Sequence, residues 1–168
     1  VGKSYTNASI DYSYLIKTFH FFGENAFSFT QSEKSKFGYG LLNGVLFSAD
    51  KRVDISLVHR YYDKKFVTGI TSDAFAESTT PNNEHGLYLG TEIRPLKYLV
   101  FNAYADVYQF PWLRFQTNIP SYGADFLAQL KYVPNKQFEI YFRYKNERKQ
   151  ENTKIDFDND LAEVTDQN

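Results

Sequence analysis

The stretch Gly86–Tyr108, GLYLGTEIRPLKYLVFNAYADVY, decides the fold. Residues 87–94 and residues 99–108 both alternate between an apolar side chain and a polar or small one. A period of two residues is typical of a β-strand that has one apolar and one polar face. Pro95-Leu96-Lys97 lies between the two halves, where the fixed φ and missing N–H of proline favour a turn. The stretch therefore predicts a β-hairpin.

The length of the hairpin points to a membrane. Strands of about ten residues, at roughly 3.3 Å per residue and a tilt of about 40°, cover about 25 Å, which is the height of the apolar band of an outer-membrane barrel. We therefore expect the apolar face of this hairpin to contact lipid. The same face could instead line the interior of a soluble all-β domain, where aromatic and β-branched residues are also enriched in strands.

The amino-acid composition favours a membrane barrel and excludes several other classes of protein. Aromatic residues make up 18% of the chain, with 14 Tyr and 16 Phe against one Trp, and membrane barrels place such residues in girdles at the water–lipid boundaries. A mean hydropathy of -0.51, with no run near the ~20 apolar residues of a spanning helix, excludes a membrane helix bundle. A net charge of -1 offers no basic surface for nucleic acid, and the absence of cysteine excludes disulfides and thiolate sites.

The alternation recurs along the chain. It predicts six further strands, over residues 8–16, 20–30, 37–48, 53–62, 122–132 and 138–146. Short turns are expected near residues 18, 50, 96 and 135, and longer connections near 33, 74, 115 and after 147. Barrels of the outer membrane have short periplasmic turns at one rim and long loops at the other, so this sorting favours a membrane barrel over a sandwich.

The predicted fold class is all-β, an antiparallel transmembrane up-and-down β-barrel with about eight strands in this chain. We expect residues 1–149 to form the barrel segment and residues 150–168 to form a polar acidic loop or tail. The chain ends in TDQN rather than in a strand with a terminal aromatic residue. Because open strand edges in lipid leave backbone groups unpaired, the sheet must either close on itself as a small barrel or continue into further strands. The missing terminal aromatic residue favours a fragment of a larger barrel.

Ionisable residues recur on the predicted inward faces of the strands. They are Asp54, Arg60, Glu92, Arg94, Asp106, Asp125, Lys131, Glu139, Arg143 and Lys145. They could line a polar pore, or they could form cross-strand ion pairs that fill a closed lumen. A selective ion path usually shows a ring of one sign, so the near balance of the two signs favours ion pairs.

The loops offer contact candidates but no catalytic residue. Phe110, Pro111 and Trp112 could anchor a partner, as exposed aromatic residues often do, or could pack at the rim of the barrel. The three histidines, His20, His59 and His85, have no nucleophile elbow or HExxH spacing around them. The acidic stretch at residues 156–160 lacks the glycine and final glutamate of a Ca²⁺ loop. We therefore expect no enzyme, no metal and no cofactor.

Four separated motifs occur in a consistent order: DKRVDISLVHRYYDKKF, NNEHGLYLGTEIRPLKYL, AYADVYQFPWLRFQTNIPS and YFRYKNERKQEN. Together they resemble a family of large outer-membrane β-barrel proteins from Bacteroidota, over roughly residues 50–152. The resemblance implies a bacterial outer-membrane location and a barrel of more than eight strands. Some members of that family carry helix-hairpin-helix modules, and this chain has none, so no nucleic-acid contact is predicted.

The resulting hypothesis is a non-enzymatic, integral outer-membrane barrel protein. It would contact the lipid bilayer and serve as a subunit of a secretion, assembly or uptake complex with other outer-membrane or periplasmic proteins. A stand-alone pore for small solutes is the alternative. A soluble β-barrel that carries an apolar ligand is the third hypothesis, and it requires Phe101, Phe126, Phe138 and Ile140 to point inward.

Overall fold

A computed structural model describes residues 4–31, 36–68, 75–114, 117–152 and 164–167 of the chain. They form one nine-stranded antiparallel sheet, in which the strands follow one another in sequence order. The strands are β1 (Ser4–Ile16), β2 (Phe19–Gln31), β3 (Lys36–Asp50), β4 (Val53–Tyr62), β5 (Glu84–Leu96), β6 (Leu99–Phe110), β7 (Ser121–Asn135), β8 (Phe138–Asn152) and β9 (Val164–Gln167).

The predicted all-β, up-and-down architecture is confirmed. Each strand pairs with the next one in the chain, and β9 is short, pairing only with residues 149–152 of β8. The sheet is open, because in the described residues β1 pairs with β2 alone and makes no ladder with β8 or β9. The described ranges contain no helix with the length and apolar character needed to cross a membrane.

The short turns lie at residues 17–18, 51–52, 97–98 and 136–137, all at one end of the sheet. We call this the turn end and the opposite end the loop end. Two turns are tighter than predicted, because Pro95 and Pro134 belong to the last residues of β5 and β7 rather than to the turns. Both prolines lie where the register shifts, between Ile93 and Leu96 and between Tyr132 and Asn135. Without an N–H, proline leaves the ladder interrupted there.

The end of the chain differs from the predicted loop or tail. β8 continues to Asn152, and Val164–Gln167 forms β9 beside it. Strand formation depends on the pairing partner more than on intrinsic preference, so a polar sequence can still extend a ladder. The acidic stretch at residues 156–160 lies outside the described residues.

The two faces of the sheet differ as the alternation predicts. One face, which we call the apolar face, presents large exposed hydrophobic side chains from every long strand, including Ile10, Phe21, Leu57, Leu89, Val107, Phe126 and Phe142. The other, which we call the polar face, carries the ionisable residues and most of the buried side chains. Its buried hydrophobic residues are Val58, Tyr62, Phe66, Tyr108 and Phe110, and they gather at the loop end.

Glycines on the polar face make room for large neighbours. Gly44 of β3 pairs with Phe22 of β2, and the phenyl ring lies over the glycine. A Cβ atom on Gly44 would come within 2.8 Å of Cε1 of that ring. Gly123 has the same relation to the ring of Tyr108. A glycine inside a strand often marks such a close approach.

Replacing Gly44 by valine tests this packing. We expect Gly44→Val to lower the free energy of unfolding by about 1–3 kcal/mol, because the added side chain overlaps the Phe22 ring. Urea unfolding measures the change. In the Phe22→Ala background the ring is gone, so the same substitution should cost much less. An equal cost in both backgrounds would contradict the register between β2 and β3.

Candidate functional site

A buried cluster of charges lies on the polar face near the loop end. The Arg60 guanidinium donates to Glu84 through Nε at 2.5 Å and to Asp106 through Nη1 at 2.8 Å. The side chain of Arg60 is 1% exposed and that of Glu84 is 0% exposed. We call these three residues the Arg60 cluster. Charges that are removed from water in this way are stable only when they are paired and hydrogen-bonded.

The register of three strands brings the cluster together. Arg60 on β4 lies opposite Gly86 on β5, and Asp106 on β6 lies opposite Tyr88 on β5. The guanidinium occupies the space that a side chain at position 86 would fill, since a Cβ there would meet Nε of Arg60 at 2.7 Å. Arg60 can therefore reach across β5 to Asp106 on the next strand.

The cluster also anchors the connection between β4 and β5. Glu84 accepts hydrogen bonds from the backbone N–H of Glu77, at 2.9 Å to Oε2, and of Ser78, at 3.4 Å. The ring of Phe75 lies 5.2 Å from the Arg60 guanidinium, which is within cation–π range. The described part of this connection is thus folded onto the polar face rather than extended away from the sheet.

Further contacts bind the described part of the β4–β5 connection to the polar face. The Tyr62 hydroxyl donates to the carbonyl of Phe75 at 3.0 Å, and Lys149 of β8 forms an ion pair with Glu77. Phe66 is buried beside Gly40 of β3. The loop end of the polar face is therefore covered by side chains from residues 66–68 and 75–84.

The predicted loop contacts, Phe110, Pro111 and Trp112, fall into two environments. Phe110 is buried, and the Arg114 guanidinium lies 4.2 Å from its ring. Pro111 and Trp112 are exposed, and Trp112 keeps 54% of its surface accessible. Of the three predicted contacts, only these two are therefore accessible to a partner.

The backbone of Trp112 is fixed by a neighbouring loop. Asn83, at a positive φ of 52°, donates to the Trp112 carbonyl at 2.7 Å and accepts from the Trp112 N–H at 2.8 Å. Asparagine tolerates this left-handed conformation better than most residues do. Lys64 Nζ lies 3.8 Å from the centre of the indole ring. The exposed ring is therefore held in place from two sides, and its role as a partner contact stays a prediction.

All ten predicted inward residues lie on the polar face. Their ion-pair partners differ between the loop end, the middle and the turn end of the sheet. Besides Arg60 and Asp106, Asp125 lies 3.3 Å from Lys145 in the middle of the sheet. Lys131 and Glu139 pair at 2.9 Å towards the turn end. Each of these carboxylates has a cationic partner, which is the arrangement expected of cross-strand ion pairs.

The remaining members follow the same rule with one exception. Arg94 at the turn end pairs with Asp54 at 2.7 Å and also contacts Glu92. Arg143 instead donates through Nε to the Gln129 side-chain oxygen at 2.7 Å. The described polar face is thus internally paired rather than lined by charge of one sign.

A groove of about 660 Å³ occupies the turn half of the polar face. Side chains that line it include His20, Asp54, Tyr88, Asn102 and Tyr104. The rings of Tyr88 and Tyr104 stack at 5.4 Å, and Phe75 packs edge-on against Tyr88 at 5.6 Å. The groove therefore lies next to the covered loop end, and its lining combines these polar groups with apolar side chains such as Leu15, Leu46 and Leu127.

Sequence reasoning missed two features of this region. Glu84, the most buried acid among the described residues, is not among the predicted inward residues, although it shares the polar-face parity of Gly86 and Tyr88. The sequence predicts no pairing of His59 with His85, although the register brings their Nε2 atoms to 2.8 Å on the apolar face. In both cases the alternation pattern indicated the face, and the cross-strand register was the missing information.

Comparisons with known proteins add no relative: no family model matches the sequence, and neither a curated protein nor a solved structure resembles it significantly. The comparisons therefore contribute nothing to the functional argument, which rests on the residues and motifs of the chain itself. What the geometry establishes is an antiparallel sheet with one apolar face and one paired, partly covered polar face.

Removing Glu84 tests the Arg60 cluster. We expect Glu84→Ala to lower the free energy of unfolding by about 3–5 kcal/mol, because Arg60 keeps its charge in a buried place and loses one partner. The matched control is Glu92→Ala, which breaks the exposed pair with Arg94 and should cost no more than about 1 kcal/mol. Urea unfolding of both variants gives the comparison, and similar losses would show that the Arg60 cluster is not desolvated.

Proposed function

We propose that this chain forms part of the wall of an integral outer-membrane β-barrel and acts without catalysis, as a subunit of a secretion, assembly or uptake complex. The observation that carries the proposal is the apolar face. Large hydrophobic side chains stand exposed along it on every long strand, up to 73% for Phe142. Soluble proteins rarely leave a continuous apolar surface of this kind uncovered, whereas lipid covers it at no cost.

The hypothesis of a soluble ligand carrier finds no support in the orientation of the strands. That hypothesis requires Phe101, Phe126, Phe138 and Ile140 to share a face with the buried residues. All four instead follow the parity of Leu99 and Leu130 on the apolar face, opposite the Arg60 cluster.

Aromatic contacts at both ends of the apolar face agree with a membrane boundary. Near the turn end, Phe19 stacks on Phe47 at 5.4 Å. Near the loop end, Tyr39 stacks on Tyr61 at 5.4 Å, and Phe27 lies 5.9 Å from Phe37. Girdles of aromatic residues at the two edges of an apolar band are the usual arrangement of a barrel wall.

The open edges set a requirement for this proposal. Backbone groups that remain unpaired in hydrocarbon cost several kcal/mol each, so a spanning sheet must be closed by further strands. β1 is exposed along its whole length, and β8 is covered by β9 only at residues 149–152. We therefore infer that both edges pair with additional strands in the assembled barrel.

The covered loop end favours a structural subunit over an open diffusion pore. The connection at residues 75–84 is bound to the Arg60 cluster and to Lys149, so it lies across the polar face at that end. In the ranges that the structure describes, the paired charges leave no ring of one sign for ion selection. The resemblance to Bacteroidota outer-membrane barrels is the further support for the membrane and for the class of complex.

Purification of the natural protein tests the role as a subunit. An affinity-tagged copy, extracted from membranes in mild detergent, should bring stoichiometric companion proteins with it. Isolation of the tagged protein alone, under conditions that keep an unrelated known complex intact, would contradict the subunit role.

A stand-alone pore is the second candidate, because the groove in the turn half of the polar face is open. It predicts steady single-channel conductance from the protein purified without companions. Replacing Glu92 and Asp54, which line the groove, by their amides should then change cation selectivity, whereas replacing Phe142 on the apolar face should not.

The membrane assignment makes a sharp prediction for charge placement. Phe126→Arg puts a cation in the middle of the apolar face and should cost about 2–4 kcal/mol in a lipid bilayer. The matched control is Asn102→Arg, which puts the cation on the polar face opposite Glu92 and should cost less than about 1 kcal/mol. The measurement is the free energy of unfolding of the bilayer-embedded protein. A mild effect of Phe126→Arg would mean that this face meets water.

A further inference from the structure

Two histidines meet on the apolar face near the loop end. Tyr61 on β4 lies opposite His85 on β5, so His59, two residues earlier on β4, is the diagonal neighbour of His85 on the same face. Their Nε2 atoms lie 2.8 Å apart, and their rings are nearly perpendicular, at 82°. We call them the histidine pair.

The geometry of the pair fixes its chemistry. At 2.8 Å the two Nε2 atoms share one proton, which one ring donates and the other accepts. The hydrogen that one ring donates and the lone pair with which the other ring accepts it therefore lie between the two strands. On the other side of His85, Nδ1 lies 3.2 Å from the side-chain nitrogen of Gln109 on β6. His85 is thus oriented through both of its ring nitrogens.

We propose that the histidine pair binds a divalent transition metal of the Zn²⁺, Ni²⁺ or Cu²⁺ type, in place of the shared proton. Neutral imidazole is the ligand these ions prefer among nitrogen donors. Zinc–nitrogen bonds of about 2.0–2.1 Å at a tetrahedral angle place two ligand nitrogens about 3.3 Å apart. The Nε2 atoms need to separate by only about 0.5 Å to reach this distance. With both imidazoles neutral, the ring that carried the shared hydrogen on Nε2 changes to the tautomer with the hydrogen on Nδ1, so that both Nε2 lone pairs face the metal and no net proton is released.

Gln109 completes the site as a positioning residue. When Nε2 of His85 binds a metal, Nδ1 carries the hydrogen and must donate it to an acceptor. The Gln109 amide can turn its oxygen to Nδ1 and accept that hydrogen bond, because its two polar ends are interchangeable in shape. The histidine pair supplies two protein ligands, and water completes the coordination. No group of three His, Cys, Asp or Glu side chains occurs around it in the described ranges.

The position of the pair makes it reachable. His85 is the second residue of β5, and His59 lies three residues before the end of β4, so both are close to the loop end. If the proposed membrane position holds, the pair lies in the outer aromatic belt beside Tyr61, whose ring is 5.9 Å from that of His85. The metal site does not depend on that position, because it rests only on the register of β4 and β5.

Metal titration of the full chain in detergent tests the proposal. We expect one Zn²⁺ site per chain, measured by competition with a chromophoric chelator, and a loss of affinity of about tenfold or more in His59→Ala and in His85→Ala. His20→Ala is the control, since His20 lies on the polar face bonded to Ser13 at 2.7 Å, and it should leave the affinity unchanged. Gln109→Ala should weaken binding by about tenfold, the lower end of the effect of losing an outer partner and no more than the loss of either histidine.

A second readout does not require variants. Cu²⁺ added at one equivalent to the unaltered chain should give an electron paramagnetic resonance spectrum with two nitrogen ligands. Zn²⁺ affinity that is unchanged in the His59→Ala/His85→Ala double variant would overturn the proposal. A chain that binds none of the three ions, or a Cu²⁺ spectrum without two nitrogen ligands, would overturn it as well.

Discussion

The charge of Arg60 is buried away from water, and the loop end of the sheet is built from the groups that solvate this charge in place of water. Glu84 and Asp106 neutralise the guanidinium, and the rings of Phe75 and Tyr108 cover its faces. Desolvation costs several kcal/mol per ion, so the pairing can exist only if β4, β5 and β6 keep one register. Glu84 then extends the constraint to the backbone of residues 77 and 78, which fixes the loop.

The register between β4 and β5 also determines which residues lie on the apolar face. A slip of one residue would turn Arg60 outward and bring His59 or Tyr61 inward, which would expose the charge to lipid or leave the carboxylates unpaired. The buried cluster on the polar face and the histidine pair on the apolar face are therefore two results of one pairing between β4 and β5. Among the described residues, a connection folds onto the polar face at the loop end alone, so this face is covered there and open in the turn half.

Much of this arrangement is predictable from the sequence, since a period of two determines which residues share a face. The strands and the common face of the ten ionisable residues follow from it. The burial of Glu84 does not, because it depends on where residues 75–78 fold, and local patterning carries no information on that. Pro95 and Pro134 were expected in turns, but both are tolerated at strand ends where the ladder is already interrupted. β9 was missed because its sequence alternates weakly and its existence depends on the edge of β8.

The most direct test of the central claim is a cysteine scan of β6 in lipid vesicles, which the chain permits because it contains no native cysteine. Single cysteines at each position from Leu99 to Phe110 are treated with a membrane-impermeant maleimide and, separately, with a lipid-soluble one. The account predicts a period of two, in which positions 101, 103 and 105 react only with the lipid-soluble reagent, whereas positions 102 and 104 are protected from lipid. Reaction of positions 101, 103 and 105 with the impermeant reagent would contradict it, because the apolar face would then meet water.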